Sequence, residues 1–326
     1  MKYFAQKICM ELTENTIRIW SQDRGIVLHQ PHRELLQPLF VELHKKKPFS
    51  KEKHISSFSD LYEEGRVKDA QKLEWYLRTI FEHVGIHLFP LGGHQISLSV
   101  SSLLCSADKQ ALYEVCSALG FSTVIFCAQT LASAVGNGFT LPLSQSAFLV
   151  HLGTGYSEVG LISYSSVIKS SRLLFSGSLM LQLFRSGARS LYGLHCTEEQ
   201  FESLLSIIHF CLLENDHSQK DFFKAMQSID SLRSFSTLPF QFFSEHFKTL
   251  FDYSLEELRF FLSELSTTQL ATIVDQGIVL TGELAQIQSL PEYCSKHLSV
   301  PVYALPNASE TTFHGLIALQ KTSAMQ

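Results

Sequence analysis

Residues 148–163 read FLVHLGTGYSEVGLIS: an apolar run, a Gly-Thr-Gly turn, then a second β-rich run. That order predicts strand, tight turn, strand. Glycines at such a turn permit positive φ and let backbone N–H groups converge on one concavity. A concavity of that kind binds phosphate. An ordinary β-hairpin uses the same glycines, so the rest of the chain decides between the two readings.

Towards the C-terminus, residues 167–174 read as a further strand, and 178–192 and 197–213 as helices. Thr197-Glu198-Glu199-Gln200 makes a capping box for the second helix. Residues 216–243 are polar yet rich in phenylalanine, and we read the phenylalanines as core. Residues 254–265 carry Leu255, Leu258, Phe261, Leu262 and Leu265 at helical spacing. Residues 277–281 are a buried strand running into Gly282-Glu283. Residues 300–304 are the last strand and 311–320 the last helix.

Towards the N-terminus, residues 7–20 predict strand, turn, strand around Thr13-Glu14-Asn15, with Ile17 and Ile19 alternating against Thr16 and Arg18. Residues 25–28 continue as a strand. Residues 35–47 look partly helical, and the basic segment 45–53 reads as a solvated loop. Residues 69–83 place Leu73, Tyr76, Leu77, Ile80 and Phe81 on one helical stripe. A loop follows with Leu88 and Phe89 at its tip. Exposed, such a tip enters a membrane interface; buried, it is a core plug. Residues 96–100 are a strand, and 106–119 a helix with Ser106 as N-cap and Gly120 as stop. Residues 123–127 are a buried strand and 131–135 start a short helix. Strands alternating with helices, with a hairpin opening each half, predict an α/β chain of two related lobes.

Composition narrows the function. The 326 residues suit about two domains, and 45% hydrophobic content supports large cores. A net charge of −5 gives no basic footprint for nucleic acid. The seven cysteines are scattered without a CxxC pair, which points to reduced thiols in a cytosolic protein. The N-terminus is too polar for a signal peptide. No apolar run is long enough to span a bilayer.

Read together, these pieces resemble the bacterial actin MreB family. Thr13, Asn15 and Thr16, followed by the strand at 25–28 and Pro31, look like its first phosphate hairpin. Leu152-Gly153-Thr154-Gly155-Tyr156-Ser157-Glu158-Val159 resembles its second. Leu131-Ala132-Ser133-Ala134-Val135-Gly136 resembles its connecting helix, and 277–282 its adenosine motif. The resemblance implies the actin-like ATPase fold, α/β, with two lobes around a central nucleotide cleft. Lobe I would take residues 1–142 with 301–326 returning to it, and lobe II residues 143–300. The outer subdomain of lobe I, near 31–66, looks shortened. Family members polymerise on the inner membrane face and direct wall synthesis. Leu88-Phe89 falls where their membrane loop lies. The resemblance therefore implies self-association or partnership with MreB-type filaments, and a cytoplasmic protein peripheral to the membrane.

The chain departs from the family at its chemistry. The first hairpin's Asp and Gly are Met10 and Leu12, and the second hairpin's Asp is His151. Magnesium needs hard oxygen ligands, which a thioether cannot supply. The catalytic Glu falls at Ala128-Gln129-Thr130, and Gln129 can orient water but cannot act as a carboxylate base. The adenosine motif's glycine run becomes Gly282-Glu283-Leu284, which brings negative charge towards a polyphosphate. In the adenosine helix the family's Glu-Ile-Lys becomes Gln200-Phe201-Glu202. Lost base and lost metal clamp together predict a retained fold with a decayed ATPase, and no cofactor; ATP and magnesium remain only for a site that still functions. Three functions stand: a non-enzymatic actin-like scaffold, a working polymerising ATPase, and a small-molecule kinase of the same fold, for which the catalytic Asp is missing.

Overall fold

An alternating apolar run starts one sheet and a continuous apolar run the other, and the two sheets share one plan. The computed structural model describes residues 5–36, 57–88, 92–213 and 217–322. In the first sheet β1 (Lys7–Leu12) pairs antiparallel with β2 (Thr16–Ser21), and β2 with β3 (Gly25–Pro31). β4 (Tyr62–Glu63) and β5 (Arg66–Val67) make a separate small hairpin. β6 (His94–Val100) and β7 (Phe121–Ala128) then add in parallel, giving the order β3-β2-β1-β6-β7. The second sheet takes β8 (Leu143–Leu152), β9 (Ser157–Tyr164), β10 (Ser166–Leu173), β11 (Ile278–Thr281) and β12 (Val302–Ala304). Its order is β10-β9-β8-β11-β12, with β11 parallel to β8 and to β12. Each sheet is thus a meander whose first strand pairs in parallel with one further strand, which in turn pairs in parallel with the last.

In the first sheet both faces are covered. Ile8, Met10 and Leu12 point into one core with Ile17 and Ile19, while Cys9 points into another with Trp20 and Phe313. The first core is closed by α1 (Ala70–His83) and α2 (Ser106–Leu119). Asp69 caps α1 by accepting from Lys72 N, and the expected stripe Leu73, Tyr76, Leu77, Ile80, Phe81 is buried. Gly120 ends α2 in the left-handed region, at φ 109°. The N-cap of α2 is Cys105 rather than Ser106, because extended backbone at Cys105 already starts the helix and its Sγ meets Asp108 Oδ2 at 3.0 Å. α3 (Gln129–Gly136) follows β7.

The second sheet is covered by a helical layer: α4 (Gly177–Tyr192), α5 (Glu198–Leu205), α6 (His209–Leu212), α7 (Ser218–Ser228), α8 (Phe240–Ser263), α9 (Thr267–Gln276) and α10 (Leu290–Leu298). The capping box at Thr197 is present. The helix expected over 197–213 is instead broken in two. Ile207 N bonds Leu204 O and Cys211 N bonds Ile208 O, which are three-residue turns, and the Ser206 hydroxyl turns back to Ser203 O. The helix expected from 254 begins at Phe240, just after Pro239, because Phe242, Phe243, Phe247, Leu250 and Phe251 carry the buried stripe backwards. The phenylalanines of 216–243 are core, as read from sequence: Phe222, Phe235 and Phe243 are fully buried. Phe184 of α4 stacks on Phe247 at 5.8 Å between ring centroids.

The chain closes with α11 (Thr311–Lys321), which crosses α3 behind the first sheet. The crossing is so close that a Cβ on Gly136 would lie 1.8 Å from Thr311 O, and one on Gly315 1.8 Å from Ala132 O. Ser133 Oγ and Thr312 Oγ1 meet there at 2.7 Å. Chain contacts divide the protein into two compact units: Met1–Leu141 with Ser165–Val167 and Glu310–Gln326, and Pro142–Tyr164 with Ile168–Ser309. Among the described residues, no helix is long and apolar enough to cross a membrane.

Candidate functional site

The two hairpins at which phosphate chemistry was expected can be built separately, one in each unit. The first turn joins β1 to β2. Thr13 N and Thr13 Oγ1 donate to Thr16 O at 3.0 and 3.2 Å, and Thr16 N donates to Thr13 Oγ1 at 3.0 Å. The outside of the turn is clamped by His32. Its backbone N–H donates to Asn15 O at 2.8 Å, its Nε2 lies 2.8 Å from Thr13 O, and its Nδ1 lies 2.7 Å from Tyr76 Oη. The His32 ring stacks on Phe58 at 3.5 Å between centroids. Burial holds His32 well below the usual imidazole range, at about 3, against the opposing pull of Thr13 O. Glu14 accepts from Gly65 N at 3.1 Å.

The strand leading to that turn carries no metal-binding oxygen at the expected place. Met10 is only 1% exposed and belongs to the first core, as does Leu12. Between them Glu11 faces the other way and accepts from Arg18 Nη1 at 2.5 Å, a pair almost wholly out of solvent. Arg18 Nε donates to His29 Nε2 at 3.0 Å. Two buried charges so close are costly unless paired, so each fixes the other.

The second turn joins β8 to β9, with His151 opposite Glu158 and Leu152 opposite Ser157. Gly153 N bonds Tyr156 O at 3.1 Å and Ser157 Oγ at 3.2 Å, and a Cβ on Gly153 would lie 2.4 Å from Tyr156 O. The turn's carbonyls receive the start of α4. Gly177 N donates to Gly153 O, and both Ser178 N and Ser178 Oγ donate to Thr154 O, at 2.6 and 2.9 Å. These donors follow the N-cap Ser176, whose side chain accepts from Leu179 N.

The remaining donors of Thr154 are met by a carboxylate. Glu283 Oε2 accepts from Thr154 N at 3.1 Å and from Thr154 Oγ1 at 3.1 Å. Gly282 makes this possible. It sits at φ 91°, its N–H bonds Ala308 O, and a Cβ there would lie 2.5 Å from Leu152 O. Only glycine lets the end of β11 press onto the end of β8, and Glu283 is the next residue. His151 is buried beside it, its Nδ1 3.3 Å from Thr281 Oγ1.

The structure therefore brings His151, Gly153, Thr154, Gly282 and Glu283 together, with Gly155 in the same turn, and Thr13, Asn15 and Thr16 in the other. Gln129 is buried at the first position of α3, and Glu202 is half-buried on α5. Leu88 is half-buried and packs on the first core, while Phe89 lies outside the described residues. Sequence reasoning missed His32 and the docking of α4 on the turn. The ring partners of His32 beyond the turn, Phe58 and Tyr76, lie 26 and 44 residues further on, and no local pattern announces them. The residues present do not suit a magnesium polyphosphate. A carboxylate already holds the Thr154 donors and would repel phosphate, and Met10 offers its place in the first strand to the core rather than to a cation.

Comparison with known proteins places this geometry. The family model described as MreB/Mbl protein matches residues 5–326. The cell shape-determining protein MreB of Pasteurella multocida (strain Pm70) is 21% identical over 241 residues, covering 73% of this chain and 68% of that protein. The cell shape-determining protein Mbl of Bacillus cereus (strain ATCC 10987 / NRS 248) is 20% identical over 310 residues, covering 93% and 92%. Among solved structures, MreB5 of Spiroplasma citri bound to AMPPNP superimposes with a TM-score of 0.77 at 15% identity, over 98% of this chain and 97% of that one. The ethanolamine utilization protein EutJ of Carboxydothermus hydrogenoformans gives 0.56 at 11%, over 95% and 88%. The fold is the actin-like ATPase fold, and the chain belongs to the MreB/Mbl family.

Proposed function

We propose that this chain is a cell-shape cytoskeletal protein of the MreB type that works as a scaffold or filament-associated subunit without efficient ATP hydrolysis. The observation that carries the reading is the Glu283 carboxylate on the Thr154 donors, 3.1 Å from both. Met10 in the core and Gln129 in place of a carboxylate base support it from the other unit. Losing a general base alone typically costs roughly 10²–10⁴ in rate. The subunit associates with itself or with filaments of related subunits, in the cytoplasm. Leu88 and Phe89 supply a contact with the inner membrane surface; two side chains contribute only a few kcal/mol, so the contact needs the avidity of a polymer.

A second reading, an ATP-dependent polymerising ATPase, is favoured by one observation: a solved relative of this fold was crystallised with AMPPNP and also with ADP. Calorimetry of the purified chain with ATP and ADP, with and without magnesium, separates the two. The scaffold gives no detectable heat of binding. Micromolar, magnesium-dependent binding would establish the ATPase instead. Liposome flotation of the Leu88→Ser, Phe89→Ser double variant tests the membrane contact, which unchanged flotation would remove.

A further inference from the structure

We propose that Glu283 is a tethered anion: its carboxylate fills the donor turn at Thr154 in place of a phosphate, so that the second hairpin is complete without any ligand. This rests on the reading of the chain as a subunit that does not use nucleotide.

The geometry is that of an anion site already served. One carboxylate oxygen receives a backbone N–H and a hydroxyl from the same residue, both at 3.1 Å. Backbone donors in a tight turn are the groups that hold phosphate oxygens. The carboxylate is delivered by rigid parts. Gly282 is held by its own N–H to Ala308 O and by contact with Leu152 O that no side chain would permit. Glu283 opens a helical turn, Glu283–Gln286, whose Leu284 is buried in the second core, so the backbone under the carboxylate is fixed. On its other side the turn is held by Gly177 and Ser178 of α4, which donate to Gly153 O and Thr154 O. The turn thus sits between the N-terminus of a 16-residue helix and a carboxylate, and both belong to the same unit.

Two consequences separate this from an incidental surface hydrogen bond. The turn should be as ordered without ligand as with one, because its anion is always at hand. Removing the carboxylate should expose an anion site that the natural chain lacks.

The test is thermal unfolding of the full chain and of Glu283→Ala, in sodium chloride and in inorganic phosphate at matched ionic strength. The variant is expected to unfold about 3–6 °C below the natural chain in chloride. Phosphate is expected to restore at least half of that loss, and to leave the natural chain where it was. An equal phosphate response in both chains, or none in the variant, overturns the proposal. If Glu283→Ala does not fold, Glu283→Gln carries the test. It keeps the shape and an acceptor but not the charge, and is expected to lose about half as much; an unchanged unfolding temperature overturns the proposal. ATP binding by the natural chain would end the proposed function through calorimetry, whereas this inference fails through the unfolding temperatures of the Glu283 variants.

Discussion

The two hairpins occupy the same place in two sheets of the same topology, yet they have been closed in opposite ways. The first is closed from within the fold. Met10 and Leu12 belong to an apolar core, and a neutral, stacked histidine ties down the carbonyls of the turn. The second keeps its glycines and its polar wall of His151, Thr281 and Ser157, and is closed by one charged side chain. A duplicated plan fixes where a turn goes; it does not fix what the turn faces. The first hairpin has become part of a core, whereas the second remains an anion turn that holds its own anion.

The largest effect that would break this contrast is at Met10, with His151 as its comparison in the second hairpin. Met10→Asp places a carboxylate among Ile8, Ile17, Ile19 and Leu98, and is expected to cost about 4 kcal/mol. His151→Asn keeps a polar atom near the place of Nδ1, within reach of Thr281 Oγ1, and is expected to cost about 1 kcal/mol. Denaturant unfolding of the two variants measures both. A mild Met10→Asp would mean that the first turn is open to water and that its metal position is merely vacant of a ligand side chain.

The next effect is the pH dependence that the first hairpin contributes through His32. His32 has its folded pKa lowered from 6.5 to about 3 by burial, so it is neutral when folded. Below pH 6.5 the unfolded chain takes up a proton that the folded chain refuses, and stability falls as pH falls from about 6.5 towards 3. Between pH 7 and pH 5 the loss assigned to this one group is about 2 kcal/mol. The difference in slope between the natural chain and His32→Gln, read from unfolding at several pH values, isolates it. Equal slopes would mean that the ring is hydrated, and that the clamp on Thr13 is not a buried one.

What the sequence disclosed follows from the range of the forces involved. Hairpins, caps and stripes were legible because their partners lie within a few residues: the capping box at Thr197, the stop at Gly120 and the buried face of α1 are local chemistry. Gly153, Gly282 and Glu283 were legible as residue types at the right spacing. That Glu283 bonds Thr154, 129 positions away, was not, because it depends on how closely β11 packs on β8. The break after Leu205 and the early start of α8 were missed for related reasons. Serine hydroxyls competed with the helix in the first case, and the Phe-rich stripe was too polar overall to be recognised in the second.

The smallest effect is the sharpest comparison, because the same substitution is made at a threonine of each turn. Thr13→Val and Thr154→Val both keep the branched shape and remove one hydroxyl. At Thr13 the loss is a neutral exchange with Thr16, expected to cost about 1 kcal/mol. At Thr154 the hydroxyl donates to a carboxylate, and a bond to a charged acceptor is the stronger kind, so about 1.5 kcal/mol is expected. The two losses should also respond differently to a second change. In a Glu283→Gln background the cost of Thr154→Val should fall towards that of Thr13→Val, which should itself stay the same, since the two turns belong to separate units. A double-mutant cycle that showed no coupling between Thr154 and Glu283 would reduce the carboxylate to a bystander, and the difference between the hairpins would then reside in their cores alone.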